Sequence, residues 1–274
     1  MTDPAVNRRN HRATGQTWRE YLEWFHHDRP GITTDILGTA RHDGTDPYRW
    51  ALEPLGRPPR LVDIACGDAP IFDRSPSPRW VGVDTSTSEL QHARLHGAGP
   101  VVRADATQLP LATGSAPAVI CSMALMIVQP LDAVLAEIRR VLTPDGTAVA
   151  LLPGGWPLTA RDLYRYAGLM ITLRRPRLAY PNDRHLTRLH PHSLQAGLEI
   201  VDDQRRRFAL PLPDHEAAER FVASLYLPGV RPARTTRAAG RAAQWVPGAI
   251  GIPLRRITLR PQSAPGQLPT AEPG

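Results

Sequence analysis

The residues with most chemical potential are three aspartates, one interrupting a short apolar run and two following the next two. Asp63 sits inside Arg60–Ala69, R-L-V-D-I-A-C-G-D-A; Asp84 ends V-G-V-D; Asp105 follows in V-R-A-D-A-T-Q-L-P-L. An apolar run, a turn of small residues and a helix start are how open α/β sheets build a nucleotide pocket. Side chains beyond alanine would keep a ligand off the backbone there. Acids closing the next two runs are placed to accept hydrogen bonds, Asp84 from ribose hydroxyls and Asp105 from an exocyclic amine, with the Ala106 amide beside it. Each also has a simpler use, because Asp84 precedes Thr-Ser-Thr-Ser and either acid can cap a helix or turn.

The elements needed to hold these residues are legible in outline. Strands are predicted at 61–64, 79–83, 100–103, 118–121 and 147–152, with helices over 86–96 and 131–142. The second helix carries a strong apolar stripe of Leu131, Val134, Leu135, Ile138 and Val141. Between the first two strands, Pro70 to Asp73 leaves room for only a short helix before Ser75-Pro76-Ser77-Pro78. This alternation implies a mainly parallel sheet. Upstream, Trp18, Tyr21, Leu22 and Phe25 mark one face of a helix that Thr17 can cap, with further helices near 32–37 and 48–55. Downstream, helices are expected over 157–173, 193–196 and 216–227, and strands over 198–210 and 252–259. A long Arg-rich connection is expected over 229–251.

With the motifs in order, the stretch 60–153 resembles the class I S-adenosylmethionine-dependent methyltransferases, particularly their small-molecule, type 11-like enzymes. L-V-D-I-A-C-G-D-A, V-G-V-D, A-D-A-T-Q-L-P-L and L-A-E-I-R-R-V-L-T-P-D-G-T-A-V carry the resemblance. A nicotinamide-binding domain calls instead for G-x-G-x-x-G and has no use for the last segment. The resemblance implies a Rossmann-like, doubly wound, mainly parallel seven-stranded sheet with an antiparallel last strand and an N-terminal helical lid. It also implies S-adenosyl-L-methionine as cofactor. Ala65, Cys66 and Gly67 would face its methionine end, with Asp63 supporting the loop; Asp84 and Thr85 would hold the ribose, and Asp105 with Ala106 the adenine. Ser122 and Met123 would line the pocket near the sulfonium. Two of the family's usual glycines are Ala65 and Ala69 here, which alanine suits only at negative φ. Met123-Ala124-Leu125-Met126 stands where many relatives carry polar groups, so no acid or base is evident there, and one is needed only if the acceptor must lose a proton. His26 or His27, on the N-terminal helix, is expected to reach the acceptor.

Composition narrows the classes. The chain of 274 residues is 42% hydrophobic and 22% charged, ordinary for a globular protein. Its net charge of +7 comes entirely from arginine, as there is no lysine. The arginines are scattered, which fits compositional bias better than a nucleic-acid footprint. Nor does an N/D-P-P-Y/F segment, usual in enzymes that methylate exocyclic base nitrogens, follow the fourth strand. Cys66 and Cys121 are too few for a disulfide scaffold. No signal peptide is evident, and the uncharged run 116–128 falls short of the ~20 residues of a membrane helix. The expected organisation is a disordered 1–15, one methyltransferase domain over 16–260, and a disordered tail over 261–274. Within the domain the expected parts are a lid at 16–58, the cofactor core at 60–153, a lid insertion at 154–190 and remaining sheet at 191–260. The expected function is methyl transfer to an O, N or C atom of a small molecule in the cytoplasm, without nucleic acid, membrane or metal, and with a homodimer possible. The alternatives are an RNA methyltransferase and a non-catalytic scaffold or regulator of the same fold.

Overall fold

A computed structural model describes residues 17–262. The expected disorder at 1–15 and at 263–274 lies outside the described residues. Seven strands form one sheet in the order β3-β2-β1-β4-β5-β7-β6. They are β1 Leu61–Ile64, β2 Trp80–Asp84, β3 Val101–Arg103, β4 Ala116–Ser122, β5 Leu142–Pro153, β6 Leu198–Leu212 and β7 Gly248–Pro261. β1 to β5 pair parallel, and β7 runs antiparallel to both β5 and β6. The strand order reverses at β1 and β4, whose carboxyl ends open the crevice where such sheets bind ligands. β1 is buried throughout, as a strand covered on both faces must be.

Among the described residues there are ten α-helices: α1 Trp18–Asp28, α2 Ile32–Thr39, α3 Pro47–Leu52, α4 Thr87–Leu95, α5 Leu131–Val141, α6 Ala160–Leu173, α7 Asp183–Thr187, α8 Leu189–Gln195, α9 His215–Ala223 and α10 Pro232–Ala243. Thr17 caps α1 through a capping box with Glu20. The connection from β1 to β2 holds only the 3-10 turn Phe72–Arg74. Tyr48, Trp50 and Leu52 of α3 pack there in one cluster with Leu61, Ile71 and Trp80, so the N-terminal helices cover what a longer crossover helix would have covered.

Several expectations change in detail. β5 begins at Leu142 rather than at 147: pairing passes from Ala116↔Leu142 to Ala118↔Thr147, so Thr143–Gly146 loop out of a continuous strand. β7 begins at Gly248 and runs on to Pro261, which the tail was expected to include. The Arg-rich connection contains α10, with Pro232 in its first turn. Its buried face is only Ala238 and Ala242, too small a signal to read as an apolar stripe. No helix among the described residues is long and apolar enough to cross a membrane.

Candidate active site

The site is built where β1, β2 and β4 end. Ala65, Gly67 and Ala69 after β1 have φ of 54°, 55° and 67°, and Met123 after β4 has 55°. Both alanines therefore occupy the left-handed region, contrary to the requirement for negative φ read from the sequence. A Cβ there costs about 1–2 kcal/mol, and such conformations persist where surrounding structure imposes them. The Cys66 amide donates to the Val83 carbonyl at 3.0 Å and the Ala69 amide to the Cys66 carbonyl at 2.9 Å, closing the turn against β2. The Met123 amide donates to the Leu151 carbonyl at 2.7 Å. Buried Asn182 holds the next residues by donating to the carbonyls of Leu125 and Val128, at 2.8 and 2.6 Å.

Asp84 and Asp105 open into the same cavity, of about 670 Å³, together with Asp63, Gly67, Ser122 and Met123. One Asp84 oxygen accepts the Gly67 amide and the other the Ser86 amide, both at 2.8 Å. The carboxylate thus ties the turn to β2 and still has lone pairs for a ligand. Burial pushes its pKa up, against the opposing pull of the Ser86 and Gly67 amides and of His26. Asp105 is exposed; its Oδ1 accepts from the Thr107 amide and hydroxyl at 2.9 and 2.8 Å. The Ala65, Cys66, Thr85 and Ala106 positions also line this cavity.

Asp63 does not support the loop by hydrogen bonding. It is fully buried, and neither carboxyl oxygen has a partner. Burial first, then the charge of Asp84, pushes its pKa well above the ordinary carboxylate value, against the opposing pull of the Trp80 indole. The Ser122 hydroxyl is likewise buried without a partner. Unpaired buried polar atoms are costly, and these two face a cavity that a ligand with donors and acceptors can enter. Cys66 and Cys121 are free thiols, and burial pushes both pKa values up.

The two candidate histidines separate. His27 stands exposed at the cavity edge. His26 is held at Nδ1 by Glu89, 2.7 Å away, and its Nε2 lies 3.3 Å from the Tyr226 hydroxyl. Neither Glu89 nor Tyr226 was found from sequence. Ser86-x-x-Glu89 has the pattern of a capping box, but only half of one forms: Ser86 accepts the Glu89 amide while the Glu89 carboxylate turns to His26 and to the Gly31 amide. Gly31 has φ of 75°, and a Cβ there would lie 2.8 Å from the His92 ring and 2.9 Å from the Asp68 carboxylate, so glycine is favoured. A second cavity of about 890 Å³ lies beyond Met123 and Tyr226, which line both. No cluster of metal-ligating side chains occurs among the described residues.

Comparison with known proteins agrees with this geometry. A family described as methyltransferase domain matches residues 62–150. Malonyl-[acyl-carrier protein] O-methyltransferase of Laribacter hongkongensis is 38% identical over 160 residues, which are 52% of this chain and 53% of that protein. The chain thus aligns with about half the length of the curated relative it matches. Phosphoethanolamine N-methyltransferase 2 of Haemonchus contortus, solved with phosphomonomethylethanolamine and S-adenosylhomocysteine, superposes with a TM-score of 0.54 at 16% identity, covering 90% of this chain and 61% of that one. The [4+2]-cyclase SpnF superposes at 0.57 with 18% identity, covering 91% and 98%. At such identities the two structures speak to the fold alone. Residues 62–150 are similar to the methyltransferase-domain family, and the chain has the methyltransferase Rossmann-like fold.

Proposed function

We infer that the protein transfers a methyl group from S-adenosyl-L-methionine to a small-molecule acceptor. The observation that carries this reading is the convergence of Asp84 and Asp105, from neighbouring strand ends, on one cavity beside a turn of small residues. In it, Asp84 accepts from the ribose, Asp105 uses its remaining oxygen toward the adenine amine, and the Ala106 amide addresses a ring nitrogen. The turn from Ala65 to Gly67 lies against the methionine end, where the unpartnered Asp63 and Ser122 offer polar contacts. When bound, the sulfonium supplies an activated methyl carbon for in-line displacement. The protein's part is then to align the acceptor and exclude water, and alignment can be worth up to ~7–11 kcal/mol. The adjoining cavity, entered past Met123 and Tyr226, is the place for the acceptor.

Calorimetric titration with S-adenosylmethionine and S-adenosylhomocysteine tests this. Binding in the micromolar range is expected, about −8 kcal/mol at 1 μM. Asp105→Ala is expected to weaken it by about tenfold or more, the worth of a hydrogen bond to a charged group. Absence of binding at millimolar ligand would overturn the reading and favour a non-catalytic scaffold.

A further inference from the structure

A line of hydrogen bonds crosses the boundary between the two cavities. It starts at Glu89 on α4, which is buried and whose second oxygen is fixed by the Gly31 amide at 3.1 Å. Its Oε1 lies 2.7 Å from His26 Nδ1. A carboxylate on that side assigns the ring proton to Nδ1 and leaves the Nε2 lone pair free. Nε2 faces the Tyr226 hydroxyl at 3.3 Å. Tyr226 follows α9 and lines both cavities, whereas His26 lines only the cofactor cavity. Burial pushes the Tyr226 phenol far up, which keeps it a neutral hydroxyl able to take one proton as it gives another. The His26 side chain retains 23% exposure, a way out for the proton.

The second cavity is walled largely by Met126, Leu152, Tyr166, Met170, Leu225 and Leu254. Of the four arginines that line it, Arg177 is paired with Asp183, Arg205 and Arg255 are paired with Asp203, and Arg184 is exposed without an ion pair among the described residues. It suits a carbon-rich molecule. The loop after β4 offers no acid or base, and among the tyrosines lining this cavity (Tyr166, Tyr180 and Tyr226) it is Tyr226 that meets a histidine.

We propose that the second cavity seats a largely apolar acceptor with a hydroxyl at the Tyr226 end, and that Tyr226, His26 and Glu89 carry that hydroxyl's proton away. The proposal rests on the donor-site reading above. As the acceptor oxygen bonds to the methyl carbon, the carbon–sulfur bond breaks and leaves a neutral thioether. The acceptor's O–H proton passes to the Tyr226 oxygen while the Tyr226 proton passes to His26 Nε2. The resulting imidazolium is balanced by Glu89, and its proton leaves to solvent. Such a relay serves only an acceptor that must lose a proton, which selects a hydroxyl over a neutral amine.

Two phenols separate base catalysis from mere packing. At about pH 8, 4-cresol, with a tyrosine-like pKa of about 10, is protonated, whereas 4-nitrophenol is largely ionised. Wild-type protein is expected to methylate both. His26→Asn, which can keep a donor toward Glu89, and Tyr226→Phe are each expected to lose about 10²–10⁴-fold in kcat with 4-cresol. The loss should shrink at least tenfold with 4-nitrophenol. Independently of turnover, 4-cresol should move the nitrogen-15 signal of His26 Nε2 in wild-type protein and leave it in place in Tyr226→Phe. Equal losses on both phenols, or an unmoved His26 signal in wild type, would overturn the relay. Failure to methylate either phenol while S-adenosylhomocysteine still binds would overturn the hydroxyl acceptor and leave the donor site standing; failure to bind it would remove the donor site itself.

Discussion

Replacing Ala65 and Ala69 by glycine, one at a time, probes the strain in the turn after β1. Both have positive φ, so glycine relieves about 1–2 kcal/mol at either position. Against this, glycine adds freedom to the unfolded chain, worth about 0.4–1 kcal/mol. At Ala65, half-buried at the cavity, the balance is a gain of about 0.5–1 kcal/mol. Ala69 differs because its methyl is buried in the core cluster with Ile71 and Trp80. Losing a buried methyl costs about 0.8 kcal/mol, which cancels the relief. Ala65→Gly should therefore stabilise while Ala69→Gly is neutral or slightly destabilising. Urea unfolding at equilibrium measures both, and in thermal unfolding the Ala65 gain corresponds to roughly 1–4 °C. Loss of stability in Ala65→Gly of about 0.5 kcal/mol or more, the ordinary penalty for glycine, would show that Ala65 is not left-handed.

Two further outcomes follow from buried carboxyls with opposite shifts. Burial acts to raise the Asp162 pKa, but hydrogen bonds from Arg207, Thr159 and the Gly251 amide outweigh it and hold the carboxyl well below the usual range. Its stabilisation is present above the unfolded value of about 3.9 and is lost as pH falls through the lower folded value. Asp162→Ala should cost about 3 kcal/mol at neutral pH, by leaving Arg207 unpaired, and the gap to wild type in urea unfolding should close in strong acid. Asp63 runs the other way. Its folded pKa is raised, so its contribution is best below the unfolded value and is lost as pH rises through the folded one. Asp63→Asn should be more stable than wild type at high pH and show no such gain near pH 4; a gain independent of pH would mean that Asp63 does not titrate as its burial dictates.

What could be read from sequence was whatever leaves a local signature. The apolar run at 61–64, the acids ending β2 and β3, and the stripe on α5 each advertise their neighbours within a few residues. The α10 helix does not, because it buries only two alanines and its exposed face reads as an Arg-rich linker. Backbone sign is equally silent: nothing in A-C-G-D-A says that both alanines adopt φ above zero. Glu89 and Tyr226 meet His26 across 63 and 200 residues, so folding alone brings them together. Asp63 was legible as a site residue but not as a fully buried one whose carboxyl takes no amide from the turn, since only the packed core reveals that.

The most direct test of a shared nucleoside grip compares S-adenosylhomocysteine with its 2′,3′-dideoxy analogue on wild-type protein and on Asp84→Ala. Asp84 also anchors the Gly67 and Ser86 amides, so its removal weakens both ligands; the informative quantity is the ratio between them. With a carboxylate hydrogen bond worth about 1.5–3 kcal/mol, wild type should prefer the hydroxylated ligand by roughly tenfold or more, and the Asp84→Ala protein should hardly distinguish the two. An undiminished preference in Asp84→Ala, or none in wild type, would contradict the placement of the ribose on Asp84.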